Sequence, residues 1–139
     1  MRRRSARRGA SAIEFALTLP LVLAVVSAVL DYGWYLTQAA NVLAAVREGA
    51  RYGVTVDQDD GPETAAVNQT EAALAALGVQ CGGAAGDCTV DASVGQTGTL
   101  DSLTVSVEVG YIPLMGLVPT PEHLRGALTM ALEDQTGGS

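Results

Sequence analysis

One acidic side chain, Glu14, stands at the start of a long apolar segment. Residues 15–30 contain only Thr18, Pro20 and Ser27 as polar or helix-breaking interruptions. A carboxylate drawn into the edge of a bilayer costs about 2 kcal/mol or more unless it is paired. Glu14 can extend back to the lipid headgroups, or it can pair with a positive group from a neighbouring protein. The chemistry that this position offers is ion pairing at a membrane boundary.

The two cysteines, Cys81 and Cys88, also have a specific chemistry. Six residues separate them, and three of those six are glycines. The spacing differs from that of C-x-x-C redox and zinc motifs. Disulfides persist in exported domains, and closing an eight-residue loop gains roughly 2.5 kcal/mol at most. The pair therefore predicts a structural disulfide.

The remaining candidates for catalysis or metal binding lack partners. His123, the only histidine, lies in a proline-bounded loop, and the sequence places no serine or cysteine to use it as a base. We expect it to be an inert surface side chain. Counted as an EF-hand from Asp57, the acidic turn has Pro62 and Asn68 where that motif needs glycine and glutamate. We therefore expect no enzymatic activity, no metal and no cofactor.

The apolar segment must be extended before it can cross a bilayer. Residues 15–30 make sixteen residues, or about 24 Å of helix, against a hydrocarbon core of about 30 Å. Counting from Ala10 gives about 31 Å, which draws Glu14 into the bilayer edge. We predict one helix over residues 10–53, with its transmembrane part at 14–30.

The second half of this helix has its own pattern. Its apolar residues recur at three- and four-residue steps and predict one narrow buried face: Leu36, Ala39, Ala40, Leu43, Val46 and Ala50. Between the two halves lie Asp31, Tyr32, Trp34 and Tyr35. The aromatic residues there suit the headgroup region, or they pack as in an ordinary helix. Gly53 is the predicted end of the helix.

The distribution of charge predicts the topology. Five of the eight arginines lie in residues 1–9, and the rest of the chain has three arginines against fifteen acids, a formal charge of −12. That sign is unsuited to nucleic acid. Positive charge beside an apolar segment stays in the cytoplasm, so the segment after Leu30 is predicted to be exported. A removable secretory signal is the competing interpretation, but Ala24, Ser27 and Ala28 give no clean small-x-small site.

In the exported domain, residues 54–139, the sequence predicts a short helix and a sheet. Pro62 suits the first residue of a helix over residues 63–77, with Gly78 as its stop. Alternating apolar residues indicate two half-buried strands, at 88–94 and 103–111, with an antiparallel hairpin through 95–99. A third strand is predicted at 127–133, after a loop that runs from Pro113 to Gly126, and the tail from 134 on is expected to fray. The predicted class is α+β, with a three-stranded antiparallel sheet behind a long N-terminal helix.

Three segments of the chain resemble the TadE-like family, minor pilin-like subunits of the tight-adherence (Flp, type IVb) pilus system: residues 8–17, 19–21 and 47–53. Residues 105–114 and 130–133 resemble the family's later strands more loosely. The resemblance implies that a prepilin peptidase removes residues 1–9 by cleaving between Gly9 and Ala10, so that Glu14 becomes the fifth residue. It also implies a non-catalytic role, with other pilin and minor pilin subunits, the inner membrane and the pilus assembly platform as partners.

The resemblance assigns roles to particular side chains. The processing site comprises Gly9, Ala10, Glu14 and Phe15, and the subunit-packing residues are Glu14, Phe15, Leu17 and Leu21. Glu14 would pair with the new N-terminal amine of a neighbouring subunit. The expected location is the bacterial inner membrane, with the N-terminus cytoplasmic, and the surface pilus after assembly. The alternative is an uncleaved single-span anchor whose exported domain is an adhesin or binding module.

Overall fold

The computed structural model describes residues 3–79, 81, 88–98 and 100–132, with residues 3–11 and 58 described by their backbone alone. The elements in order are α1 (Arg3–Gly53), a single 3-10 turn (Gln58–Asp60), α2 (Pro62–Ala76), β1 (Cys88–Thr97), β2 (Leu100–Gly110) and β3 (His123–Ala131). The strands form one antiparallel sheet in the order β1-β2-β3. The predicted α+β class and three-stranded sheet are confirmed.

The chain divides into two compact units. The first unit comprises the residues up to Tyr35 together with the loop Ile112–Thr120. The second unit comprises Leu36–Tyr111 and the residues from Pro121 on. It contains the second half of α1, the helix α2 and the whole sheet.

Helix α1 is longer than predicted at its N-terminal end. It begins at Arg3 rather than Ala10, because the arginines and alanine of the basic segment are themselves good helix formers. It continues through Pro20 and ends at Gly53, as predicted. Thr18 donates its hydroxyl to the carbonyls of Glu14 (3.0 Å) and Phe15 (3.2 Å), which satisfies the side chain within the helix.

The buried face of α1 in the second unit differs from the predicted one. Val42, Ala45, Val46, Gly49 and Ala50 are buried, whereas Leu36 and Ala40, both assigned to the buried face from the sequence, are exposed. Of the predicted face, Val46 and Ala50 are buried and Ala39 and Leu43 are half-buried, so the prediction holds best near the end of the helix, where the rest of the second unit covers it.

Close approach between α1 and α2 depends on small residues. A Cβ atom added to Gly49 would overlap the Thr70 hydroxyl and lie 2.8 Å from the carbonyl oxygen of Ala66. At Gly53, an added Cβ would lie 2.8 Å from the Cβ of Ala66. The helices meet at a distance that only glycine allows on the α1 side.

Helix α2 confirms the predicted start and stop. It begins at Pro62 and ends at Ala76, just before Gly78. On its buried face, Ala66, Thr70 and Leu74 are fully buried, whereas Leu77, just past its C-terminal end, is exposed. The Thr70 hydroxyl is satisfied by the carbonyl of Ala66 at 2.7 Å.

The hairpin between β1 and β2 is tighter than predicted. The strands pair from Cys88↔Val109 to Thr97↔Leu100, so the turn has two residues rather than the five of the predicted loop at 95–99. Gly98 supplies the left-handed conformation (φ +69°) that a two-residue turn requires. The side chains of Thr97 and Ser102 hydrogen-bond across the end of the hairpin at 3.0 Å.

Strand β3 begins four residues before its predicted start. Leu124 is buried opposite Val109, and Gly126 lies against α1, where an added Cβ would be 3.3 Å from Val42. The segment assigned to a loop is therefore strand from His123 on. Glu133 and the predicted frayed tail lie outside the described residues.

The alternation on β2 is as predicted. Its inward side chains are all buried: Leu103, Val105, Val107 and Val109, continued by Tyr111. The predicted disulfide is present between Cys81 and Cys88, whose Cα atoms lie 4.8 Å apart. Cys88 is the first residue of β1, so the bridge ties the start of the sheet to the segment that follows α2.

Candidate functional site on the N-terminal helix

The α1 residues of the first unit are covered by very little of the chain. Residues 12–26 are all exposed. The segment Ala12–Gly53 is long and apolar enough to cross a membrane. Its most apolar eighteen residues are almost entirely exposed. A core helix of a soluble protein can be equally apolar, but it is mostly buried. The apolar surface of this segment therefore needs an external environment.

The predicted processing and packing residues all lie on this helix. Gly9 and Ala10 lie within its backbone, and Glu14 is exposed. The apolar packing residues are also exposed: Phe15 by 64%, Leu17 by 73% and Leu21 by 68%.

Helical geometry divides these side chains between two faces. Residues three and four positions apart share one helix face. Glu14, Leu17 and Leu21 therefore line one stripe, and Phe15 points about 100° away from it. Among the side chains that the structure describes, Glu14 has no ion-pair partner, so its carboxylate is available to a group from outside the described residues.

Asp31 is the residue whose role the sequence analysis missed. It is fully buried in the first unit. Its Oδ1 accepts the backbone N–H of Met115 at 2.8 Å, and its Oδ2 accepts the backbone N–H of Gly116 at 3.1 Å. Hydrogen bonds to a charged acceptor are stronger than neutral ones, and two of them offset part of the cost of burying a carboxylate. The sequence signal was a lone acid immediately after the apolar run.

A second contact fixes the same loop to the same turn of α1. The Tyr32 hydroxyl donates to the carbonyl of Pro119 at 3.2 Å. Ser27, one turn before Asp31 and on the same face, is also fully buried, and its hydroxyl has no hydrogen-bond partner among the described residues. Ser27 and Asp31 are thus two fully buried polar residues on a part of the helix that is mostly exposed. We call the loop Ile112–Thr120 and its bonds to Asp31 and Tyr32 the Asp31 clasp.

The charged groups of the sheet form a separate cluster on the second unit. Arg125 donates to Glu108 at 2.9 Å, and Nδ1 of His123 lies 3.5 Å from the same carboxylate oxygen. The hydrogen bond from Arg125 holds the pKa of Glu108 below its ordinary value, and the same bond raises the pKa of Arg125. His123 therefore lies at the start of β3 beside Glu108, and the prediction that it lies in a loop was wrong.

Comparison with known proteins gives one match. Residues 9–51 match the family model described as TadE-like protein. The matched segment begins at Gly9, includes Glu14 and Asp31, and ends two residues before α1 does. No curated protein matches the chain. No solved structure matches it either.

The matched segment coincides with the element that carries the predicted site. A TadE-like segment indicates a pilin-like protein related to the Tad pilus, with other proteins of that system as partners. Proteins of this kind are structural rather than enzymatic. The suspected resemblance is confirmed: residues 9–51, which form most of α1, are a TadE-like segment.

Proposed function

We propose that the chain is a minor pilin-like subunit that helps to assemble, initiate or cap a Tad pilus, after a prepilin peptidase has cleaved it between Gly9 and Ala10. The observation that carries the proposal is the coincidence of the TadE-like match with an apolar helix that the rest of the chain leaves exposed. The proposal assigns that exposed surface first to the bilayer and then to neighbouring subunits.

Membrane insertion comes first. The exposed side chains from Ile13 to Leu30 are apolar except for Glu14 and Thr18, and transfer of such surface from water is strongly favourable. The arginines of residues 1–9 hold the N-terminus in the cytoplasm. The second unit, with its disulfide between Cys81 and Cys88, is then on the exported side, where disulfides persist. The location that we propose is the inner membrane before assembly and the pilus afterwards.

Cleavage then creates a positively charged amine that can pair with the Glu14 carboxylate. Hydrolysis of the Gly9–Ala10 bond leaves a carboxylate on Gly9 and a free amine on Ala10, which is positively charged at neutral pH. A Glu14 carboxylate inside the bilayer edge is costly alone and far less so when paired. Pairing with the Ala10 amine of a neighbouring subunit would favour association in the membrane and fix the axial stagger between helices.

Leu17 and Leu21, on the same stripe as Glu14, supply the rest of the helix–helix contact, and Phe15 extends the apolar surface about 100° around the helix from Glu14. Apolar side chains gain little by leaving lipid for protein. The ion pair therefore selects the register, and the aliphatic side chains pack around it. Uncleaved subunits lack the Ala10 amine and should not assemble.

The proposal is tested with a matched pair of glycine substitutions in the native cell. Gly9→Leu changes the cleavage position, whereas Gly33→Leu makes the same substitution at an exposed site of α1 where an added Cβ meets nothing within 4 Å. We expect the Gly9→Leu protein to keep the leader and migrate more slowly, and the Gly33→Leu protein to be processed like the wild type. Equal migration of all three proteins would overturn processing at Gly9 and would favour the uncleaved anchor with a binding domain.

A further inference from the structure

The loop of the Asp31 clasp has four large apolar residues that the described chain leaves exposed. The exposed fraction of the side chain is 81% for Ile112, 59% for Leu114, 53% for Met115 and 67% for Leu117. The whole loop Ile112–Thr120 contains no ionisable residue, in a chain that has fifteen acids. Surface loops of soluble domains are usually polar, so this composition requires an explanation.

The position of the clasp along α1 provides that explanation. Asp31 follows Glu14 by seventeen residues, or about 26 Å of helix, and the hydrocarbon core is about 30 Å thick. With Glu14 at one boundary of the hydrocarbon, Asp31 lies at the other. The two amides that bond Asp31 bring Met115 and Gly116 to the same level.

The clasp provides hydrogen-bond donors for the Asp31 carboxylate at that boundary. An acid at the hydrocarbon boundary is costly unless its charge is satisfied, and here two backbone amides bond it within a fully buried contact. The large side chains of the loop that remain exposed are apolar. Tyr32 and Trp34, exposed by 45% and 39% on the same turn as Asp31, are residue types that favour the headgroup region.

We propose that the Asp31 clasp is a second membrane-binding element: the loop Ile112–Thr120 lies in the exported-side interface of the phospholipid bilayer, with Ile112, Leu114, Met115 and Leu117 in contact with lipid. The inference rests on the membrane insertion of α1 proposed above. It adds that the chain enters the bilayer at two places far apart in sequence. The loop side chains are expected about 5–10 Å below the headgroup boundary, as for amphipathic interfacial segments.

Single-tryptophan variants of the full-length chain test the depth of each site. Trp34, the only tryptophan, is replaced by Phe, and one Trp is introduced as Leu117→Trp in the loop, Val25→Trp in the helix or Leu100→Trp in the sheet. Leu100 is a matched control because it is exposed by 59%, against 67% for Leu117 and 58% for Val25. Each protein is reconstituted in phosphatidylcholine–phosphatidylglycerol vesicles containing phosphatidylcholine brominated at either shallow or deep acyl positions.

We expect the Val25→Trp protein to be quenched most by the deep bromines. The Leu117→Trp protein should be quenched most by the shallow bromines, with blue-shifted emission, and the Leu100→Trp protein should be unquenched. Leu114→Trp, in the same loop, should repeat the result for Leu117→Trp and guards against a local effect of one substitution.

Three results would contradict this expectation in distinguishable ways. If Val25→Trp is quenched and both loop variants behave like Leu100→Trp, the loop is in water and the inference fails alone. If the loop variants are blue-shifted but unquenched, and the shift depends on the protein-to-lipid ratio, a second copy of the chain covers the loop and the inference also fails. If Val25→Trp itself is unquenched, α1 is not inserted, and both the inference and the proposed function fail.

Discussion

The two units of the chain differ in what covers their apolar side chains. In the second unit, Leu103, Val105 and Leu74 are fully buried against other residues of the chain. In the first unit, Leu17, Leu21 and Ile112 are each exposed by more than 65%. A sheet and two helices can fold around their own core, but a lone apolar helix needs lipid or neighbouring subunits. The first unit, whose apolar side chains are not covered by the chain, is therefore the unit that we expect to contact lipid or other proteins.

Most of the residues in the family match belong to the first unit. Residues 9–51 include all of the first unit's α1 residues that the structure describes with side chains, and they reach the second unit only through the same helix. The sheet and α2 lie outside the match. Under the proposed function, the first unit carries the membrane and assembly roles, and the second unit is available for the choice of partner.

The largest effect on the unfolding of the second unit is expected from removing one of its core side chains. Leu103→Ala should lower the free energy of unfolding by about 3 kcal/mol, through lost burial and the cavity left behind. Leu17→Ala, the same substitution at an exposed position of the first unit, should leave unfolding unchanged and reduce the amount of protein in sheared pili. Denaturant unfolding of the full chain in detergent micelles, followed by circular dichroism, gives the first quantity.

Leu100→Ala is the control within the same strand, because Leu100 is exposed by 59% where Leu103 is buried. Its unfolding should match that of the wild type. If Leu103→Ala and Leu17→Ala lowered the free energy of unfolding equally, the two units would unfold together and would not differ in what stabilises them.

A smaller effect is expected from the glycine at the α1–α2 contact. Gly49→Ala should destabilise the second unit by about 2 kcal/mol, because the new methyl group would overlap Thr70 and approach the Ala66 carbonyl. Gly33→Ala, in the exposed part of the same helix, should be neutral or stabilise by about 0.5–1 kcal/mol through helix propensity. Thermal unfolding of the two variants measures both effects, and a stabilising Gly49→Ala would refute the close contact.

Loss of the Asp31 clasp is expected to affect the first unit alone. Asp31→Ala removes the acceptor of two backbone amides, and each bond to a charged acceptor is worth about 1.5–3 kcal/mol. Amide hydrogen exchange at Met115 and Gly116 should accelerate by at least about tenfold, with little change in β2. The measurement is exchange mass spectrometry on the chain in lipid nanodiscs.

Asp59→Asn, on the exposed acidic turn, is the control for loss of an acid elsewhere. It should leave exchange at both loop amides unchanged. Faster exchange throughout the sheet in Asp31→Ala would show that the clasp supports the second unit as well.

The smallest effect concerns the charged cluster on the sheet. The pKa of Glu108 is lowered in the folded protein, chiefly by the hydrogen bond from Arg125. Its contribution to stability is therefore present above its unfolded pKa, near 4.5, and is lost as the pH falls through the lower folded pKa. Glu108→Gln should flatten the decline in melting temperature below that pH. Glu71→Gln, exposed on α2, should keep the wild-type profile.

Local patterns predicted the elements but not all of their partners. The end of α1 at Gly53, the start of α2 at Pro62 and the alternation on β2 follow from signals within a few residues. The disulfide followed from only two cysteines and a spacing unsuited to metal. These features depend on the chain nearby, so the sequence contains what is needed to predict them.

The errors concern contacts between distant segments. The bonds from Met115 and Gly116 to Asp31 span 84 and 85 residues, and no periodicity indicates such a pairing. Likewise, β3 extends back to His123 because Leu124 finds Val109 across the sheet, and the α1 face shifts because Gly49 meets α2. Tertiary packing decided these boundaries, and a single sequence does not show that packing. It shows only residues without an evident role, such as Asp31 directly after the apolar run.

The proposed function requires that the chain is cleaved and then incorporated into the pilus. The most direct measurement is the mass of the N-terminal peptide from the protein recovered from native membranes and from sheared surface fibres. We predict that Ala10 is the first residue in both fractions. An N-terminus at Met1 or Arg2, with no protein in the fibres, would contradict the account and leave a membrane-anchored binding domain.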